Sequence, residues 1–417
     1  MPALPDHRLA RIALLTSLYF AQGLPFGFFT QAFPVILRQR GHDLAEIGLV
    51  GLLNLPWALK FLWSPLVDRW QGSPLGPRRG WIVPLQVASL MILLALAQMP
   101  HDGALLWVGV AFLLLNVVAA TQDIATDALA VNLLRGPERG LGNGVQVGGY
   151  RLGMIVGGGF LLVLFTQTGW SGSFAIMAGL MAAASLPVWI FREPAGTSTR
   201  TTRAAEAGEA APLRAAFGHF LRRPGMAAWL LALCIYKAGD AFASSMVRPF
   251  LVDLGLALGD VGWLLGTAGS TAALLGAFAG GALLVRLPRR GALLGFGVLQ
   301  LLSVAVWIIP ALWEAPAVDR GVLYAVSIFE HFAGSMATVA LFTVMMDACE
   351  PERAGTDYTV QACVVVVATG AFGAASGFSA RALGFTGHFA LATLLCGLGL
   401  LGVAALTRRG LMQAPVR

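Results

Sequence analysis

Runs of apolar residues long enough to cross a bilayer recur from one end of this 417-residue chain to the other. A helix needs about 20 apolar residues to cross the hydrocarbon core. In that medium only structures that satisfy every backbone N–H and C=O internally can persist. The runs are continuous rather than alternating, which excludes a β-barrel and predicts an all-α membrane protein. Composition agrees: 57% of the residues are hydrophobic, 12% are charged, and the mean hydropathy is +0.75, outside the range of ordinary soluble domains. Clusters of Arg, Pro, Gly and acidic residues divide the runs into twelve expected spans, at 12–37, 45–64, 81–99, 104–133, 144–167, 172–191, 224–252, 261–284, 292–310, 321–346, 356–380 and 386–407. Glycine, at 51 residues, suits the close helix contacts on which membrane bundles depend.

The first run is too long, and followed by too many others, to read as a cleaved signal peptide, so both ends are expected to remain. Cys234, Cys349, Cys363 and Cys396 form no close pair and no metal spacing, and read as small apolar fillers. Arginines concentrate in one alternating set of loops (Arg8, Arg11, Arg69, Arg78, Arg79, Arg135, Arg139, Arg192–Arg223, Arg286, Arg289, Arg290, Arg353, Arg408, Arg409, Arg417), which puts both termini in the cytoplasm. The net charge of +7 expresses that bias. With no basic patch interleaved with aromatics, no nucleic-acid partner is expected.

The longest polar segment, "REPAGTSTRTTRAAEAGEAAPLRAAFGHFLRRP" from Arg192, reads as a cytoplasmic linker over 192–223, either a plain tether or one ending in an amphipathic helix over 213–221. It separates two six-helix halves, 1–191 and 224–417. The halves echo each other: "PERGLGNGVQ" from Pro137 answers "PERAGTDYTVQ" from Pro351, "YFAQG" from Tyr19 answers "YKAGD" from Tyr236, and "EIG" at Glu46 answers "DVG" at Asp260, at offsets of 214 to 217 residues. Parallel six-helix repeats are the major-facilitator arrangement, which moves solute by rocking the halves about a central site. A pseudo-symmetric channel would need a filter or lining ring, and none is recognisable. In the loop "SPLVDRWQGSPLGPRRG" from Ser64, Asp68 with Arg69, Arg78 and Arg79 reads as a latch that holds helix ends in one conformation and releases them in another.

Polar side chains inside a bilayer must face a cavity, a partner or the interface. That rule selects Gln22, Gln31, Lys60, Asn116, Gln122, Asp123, Asp127, Gln146, Arg151, Lys237, Asp240, Arg248, Glu330, His331, Asp347 and Gln361. Asp123 and Asp127, four apart, share a helix face. They either form a proton-carrying carboxylate pair or fix a helix end, with Asp127 pairing with Arg139 or Arg151. Lys237 and Asp240 are placed to pair at i and i+3, either as a static bridge or as a coupling or substrate element. Glu330 and His331 are adjacent and expected to face different directions, too divergent for a tight pair, although either can reach a cavity. Lys60 either snorkels to the cytoplasm or meets an anionic solute, and Trp63 suits an interfacial anchor. "YFAQGLPFGFFTQAFP" from Tyr19 offers aromatic faces and bent backbone to an amphipathic solute. Tyr19, Gln22, Gln31, Lys60, Asn116, Gln146, Arg151, Tyr236, Lys237 and Gln361 are therefore substrate-cavity candidates, and Asp123, Asp127, Asp240, Glu330 and His331 are proton-coupling candidates. No enzyme motif appears, and runs such as "GGGF" at Gly157 fit helix packing better than phosphate binding. Neither a metal nor an organic cofactor is expected.

"LPWALKFLWSPLVDR", "TQDIATDA" and "KAGDAFA" closely resemble the AmpG-like branch of the major facilitator superfamily, which includes muropeptide permeases, acetyl-CoA transporters and the RhtX and FptX siderophore importers. The resemblance implies a proton-linked transporter of the bacterial inner membrane; alternating access is the expected mechanism and a monomer the expected state. It maps the family's recurring acidic positions to Asp123, Asp127 and Asp240, with Lys237 beside the last, and matches Lys60 and Asp68 to the span-two motif. Because many muropeptide permeases carry two additional spans, the compact length points first to a ferric siderophore as solute, with a muropeptide as the alternative. A non-transporting receptor or assembly protein is the reading from a different class.

Overall fold

The computed structural model describes residues 8–39, 53–70, 73–99, 105–134, 136–193, 218–313 and 319–408. All regular structure among them is helical. Nine of the described helices are long and apolar enough to cross a membrane: α1 (Arg8–Leu37), α3 (Arg79–Gln98), α4 (Trp107–Leu133), α5 (Arg139–Ile190), α6 (Met226–Asp253), α7 (Gly259–Leu283), α8 (Arg289–Ala311), α9 (Arg320–Asp347) and α10 (Pro351–Arg408). Their limits follow the expected spans within a few residues, apart from the merged pairs in α5 and α10.

α5 and α10 are each interrupted by one glycine with non-helical angles, Gly169 (φ 63°, ψ −163°) and Gly384 (φ 67°, ψ 175°). Positive φ is closed to most side chains by their Cβ and open to glycine. These breaks lie one sequence repeat apart and fall between the expected spans 144–167 and 172–191, and between 356–380 and 386–407. The expected span 45–64 is described only from residue 53. There, α2 (55–69) is a chain of short pieces, Leu55–Leu59, a 3₁₀ turn at Lys60–Leu62, and Ser64–Arg69. Pro56 and Pro65 each open a piece, because proline fits the first helical turn and cannot donate within a continuous ladder. Most of the expected amphipathic helix over 213–221 lies outside the described residues.

Contacts divide the chain into two compact units. The first comprises residues 1–135, 149–216 and 349–360, and the second comprises 136–148, 217–348 and 361–417. The first unit is built on an aromatic core of Phe28, Phe29, Phe33, Phe112, Trp170 and Phe174. Trp170 Nε1 donates to the Leu96 carbonyl at 2.7 Å, so the buried indole is satisfied. α1 carries a π-helical turn at Phe28–Ala32 and α5 another at Ile155–Phe160. These helices meet so closely that a Cβ on Gly157 would overlap the Leu24 carbonyl. Gly157→Val is therefore expected to cost more than the about 1–3 kcal/mol typical of overpacking, since backbone cannot yield as a side chain can. A wild-type melting temperature for the detergent-purified variant would contradict this. The second unit packs Phe242, Phe250, Trp307 and Phe389. Within it, His388 stacks on Phe242 at 4.7 Å and joins Ser379 Oγ to the Phe242 carbonyl.

Candidate functional site

In the first unit, costly polar groups from α1, α2 and α4 find one another. Asp123 and Asp127 share a face of α4 as their spacing predicts, yet each has its own partner. Lys60 forms a buried ion pair with Asp123, and Tyr19 donates its hydroxyl to Asp127 Oδ1 at 2.8 Å. Gln22 Nε2 donates to Thr126 Oγ1 at 3.1 Å, and Trp57 Nε1 to Asn116 Oδ1 at 2.9 Å. Lys60 is only 4% exposed and meets the Asp123 carboxylate, so it does not snorkel to the cytoplasm. Asp127 has Tyr19 as a partner, while the Arg139 guanidinium is engaged with Asp347. Trp63 is half-buried and donates to Thr121 Oγ1 at 3.1 Å, which ties α2 to α4. A narrow recess opens among these groups, lined by Gln22, Phe26, Trp57, Phe112 and Asn116. Gln31 is exposed, and Gln146 is buried on the segment of α5 that belongs to the second unit.

In the second unit, α6 is broken at Lys237 (φ −101°, ψ 1°). The pair expected there is present: Lys237 Nζ lies 2.6 Å from Asp240 Oδ2. Lys237 also donates to Gln300 Oε1 at 2.7 Å and to the Gly334 carbonyl at 3.3 Å, so three helices converge on one ammonium. Asp240 Oδ1 has no hydrogen-bond partner among the described residues and faces Gly334, where an added Cβ would sit 3.3 Å away. Nearby, Ser244 donates to Glu330 Oε1 at 2.9 Å, and His331 Nδ1 lies 2.7 Å from Glu330 Oε2. The expectation that Glu330 and His331 diverge is thus corrected. Adjacent Cβ atoms leave a helix in different directions, yet the two side chains are long enough to meet. Tyr236 and Gln361 are committed to holding helices together: Tyr236 donates to the Leu293 carbonyl at 2.7 Å, while Gln361 accepts from Trp229 Nε1 at 2.6 Å and donates to the Met345 carbonyl at 3.2 Å. Gln300 was missed in the sequence, although the same cost of an amide in an apolar run marks it.

At the expected latch, Asp68 and Arg78 form a buried ion pair. Asp68 pairs with Arg78 at 2.7 Å and accepts from the amides of Gly355 at 3.2 Å and Thr356 at 2.6 Å. Those amides belong to the first turn of α10, where helix N–H groups lack internal acceptors. Arg79 leaves the latch, as Nε donates to the Val188 carbonyl at 2.9 Å and a terminal nitrogen reaches the Trp189 carbonyl. Arg69 is exposed at the end of α2. Glu193 caps the start of α3 by accepting from the amides of Arg78 at 3.0 Å and Arg79 at 3.1 Å. Burial holds its carboxyl above the ordinary range, against the pull of those amides. In the second unit Asp347 accepts from Arg139 at 2.8 Å and Arg289 at 2.7 Å. Two lysines thus sit at helix breaks, each paired with a carboxylate within its own unit: Lys60 with Asp123 of the continuous α4, and Lys237 with Asp240.

A multi-spanning helical membrane protein with paired ionisable groups at helix breaks belongs to the class of membrane carriers. This chain is a member of the Major Facilitator Superfamily, whose sequence model matches residues 15–372. It is 33% identical over 403 residues to the "Anhydromuropeptide permease" of Escherichia coli (strain K12), an alignment spanning 95% of this chain and 80% of the permease. Two solved structures share the fold. The fucose transporter FucP in its outward conformation superposes with a TM-score of 0.66 at 14% identity over 95% of this chain and 98% of that one. A bacterial homologue of ferroportin in its outward-facing state gives 0.68 at 15% over 96% and 100%. The protein is a secondary transporter of the inner membrane, embedded in lipid and crossing it several times.

Proposed function

We propose that the protein imports a muropeptide from periplasm to cytoplasm by proton-driven alternating access. The observation that carries this reading is the identity to the anhydromuropeptide permease across nearly the whole chain. It favours the muropeptide over the ferric siderophore to which the compact length pointed. In this reading twelve spans form two six-helix halves, 1–191 and 224–417, joined by the 192–223 linker, with both termini cytoplasmic and the monomer as the working unit. The glycine breaks in α5 and α10, with the fragmented α2, support that count. The proton enters at Asp240, whose Oδ1 has no hydrogen-bond partner among the described residues. Protonation removes the charge that holds Lys237 and releases α6 from α8 and α9. Asp123, Asp127, Glu330 and His331 are the other proton-coupling candidates.

Proteoliposomes with an imposed proton gradient are expected to accumulate a labelled anhydro-muropeptide, and a protonophore is expected to abolish the accumulation. Gradient-independent accumulation would sink proton coupling. Specific binding without flux would make the protein a receptor. Asp240→Asn is expected to drop gradient-driven uptake to the protonophore level while solute exchange persists. Uptake at the wild-type rate would remove Asp240 from the coupling path.

A further inference from the structure

Inside the first unit, three half-buried rings from α1, α2 and α5 form one group. Phe26 of α1 lies 5.6 Å from Trp57 of α2 and 5.6 Å from Tyr150 of α5, and Trp57 lies 6.4 Å from Tyr150, centroid to centroid. The three rings are inclined to one another by 50–77° and not stacked, so they present an edge-and-face platform. Rings of the adjacent core lie deeper, as Phe28 and Phe174 do. Phe26 and Trp57 also line the recess, whose polar wall is Gln22 and Asn116.

That wall is unevenly satisfied. Asn116 is used at both ends, accepting from Trp57 Nε1 and donating to the Phe112 carbonyl. Gln22, only 2% exposed, donates through Nε2 to Thr126, but its Oε1 has no hydrogen-bond partner among the described residues. A buried acceptor left unpaired costs about 1–3 kcal/mol. A ligand N–H or O–H would recover that cost. The Lys60 ammonium sits 5.3 Å from the Trp57 ring centre, so a positive charge already polarises the platform from one side.

A platform of tilted aromatic rings beside a lone buried acceptor fits a pyranose: its axial C–H groups pack on ring faces, and its N–H and O–H substituents seek acceptors. The recess is narrow and takes a substituent of the ring, not the ring itself. We infer that Phe26, Trp57 and Tyr150 form a sugar subsite, on which the N-acetylated amino sugar of the solute stacks with its amide N–H directed at Gln22 Oε1. This inference rests on the muropeptide reading and assigns the sugar, not the peptide, to the first unit.

The experiment is calorimetric titration of the detergent-purified full-length protein with two probes, a peptide-free disaccharide of N-acetylated amino sugars and the free stem peptide, alongside liposome uptake of the intact muropeptide. The disaccharide is expected to bind, with Trp57→Leu and Tyr150→Leu each weakening it about tenfold. Trp57→Phe should hold it within about threefold, because a ring face remains. Gln22→Leu should weaken the N-acetylated disaccharide more than its deacetylated counterpart. Thermal unfolding of each variant separates lost binding from lost fold. Equal affinity in folded Trp57→Leu overturns the subsite and leaves the permease reading standing, as does uptake of the muropeptide with no disaccharide binding. Absence of both binding and uptake of any muropeptide overturns the permease reading, and the subsite with it.

Discussion

Lys60→Met is expected to cost about 3–5 kcal/mol of stability, because it leaves the Asp123 carboxylate buried without its counter-charge. The side chains of the pair are 5% and 11% exposed, so water offers little compensation. Lys60 is fixed by the 3₁₀ turn between two prolines of α2, and Asp123 lies in the middle of α4, so neither can easily swing to a new partner. The double variant Lys60→Met/Asp123→Leu should regain most of the loss, since replacing a buried pair by apolar groups is often near neutral. Transport separates the two readings of the pair. A scaffold bridge predicts that the double variant still carries solute, whereas a coupling element predicts a folded protein that cannot accumulate it. Thermal unfolding in detergent with gradient-driven uptake measures both. A single variant that melts with the wild type would show that the pair holds nothing.

What the sequence could and could not reveal follows from the range of each interaction. Span positions were legible because hydropathy is local, and the repeat even placed the breaks where Gly169 and Gly384 turn the chain. Lys237 and Asp240 were legible for the same reason: i and i+3 on a helix are neighbours whatever surrounds them. Lys60 and Asp123 were each recognisable as costly, but their pairing depends on how α2 and α4 pack, which no local pattern encodes. Adjacent arginines fared worst. Arg78 lies in the turn before α3 and Arg79 opens the helix, so Arg78 turns to Asp68 while Arg79 turns to the carbonyls at Val188 and Trp189. Side-chain reach limits the same argument in the other direction, as the Glu330–His331 contact demonstrates.

Asp68→Asn is expected to have an effect of the same size, and it tests the latch at a different level. The carboxylate accepts from the Arg78 guanidinium and from the two amides that open α10. A negative charge there also complements the positive end of that helix. Asparagine keeps one acceptor and brings an NH₂ against groups that only donate, while Arg78, 2% exposed, is left buried without its charge partner. The loss is about 3–5 kcal/mol, or a rise of more than about a hundredfold in the opening of those hydrogen bonds. Hydrogen exchange at Gly355 and Thr356 reads it directly. Arg78→Ala should raise exchange less, because the carboxylate still accepts from both amides. Arg79→Ala should leave these amides unchanged while loosening the end of α5, since its bonds run to Val188 and Trp189. If all three variants exchange alike, Asp68 is held by the loop around it and the first turn of α10 does not depend on its charge.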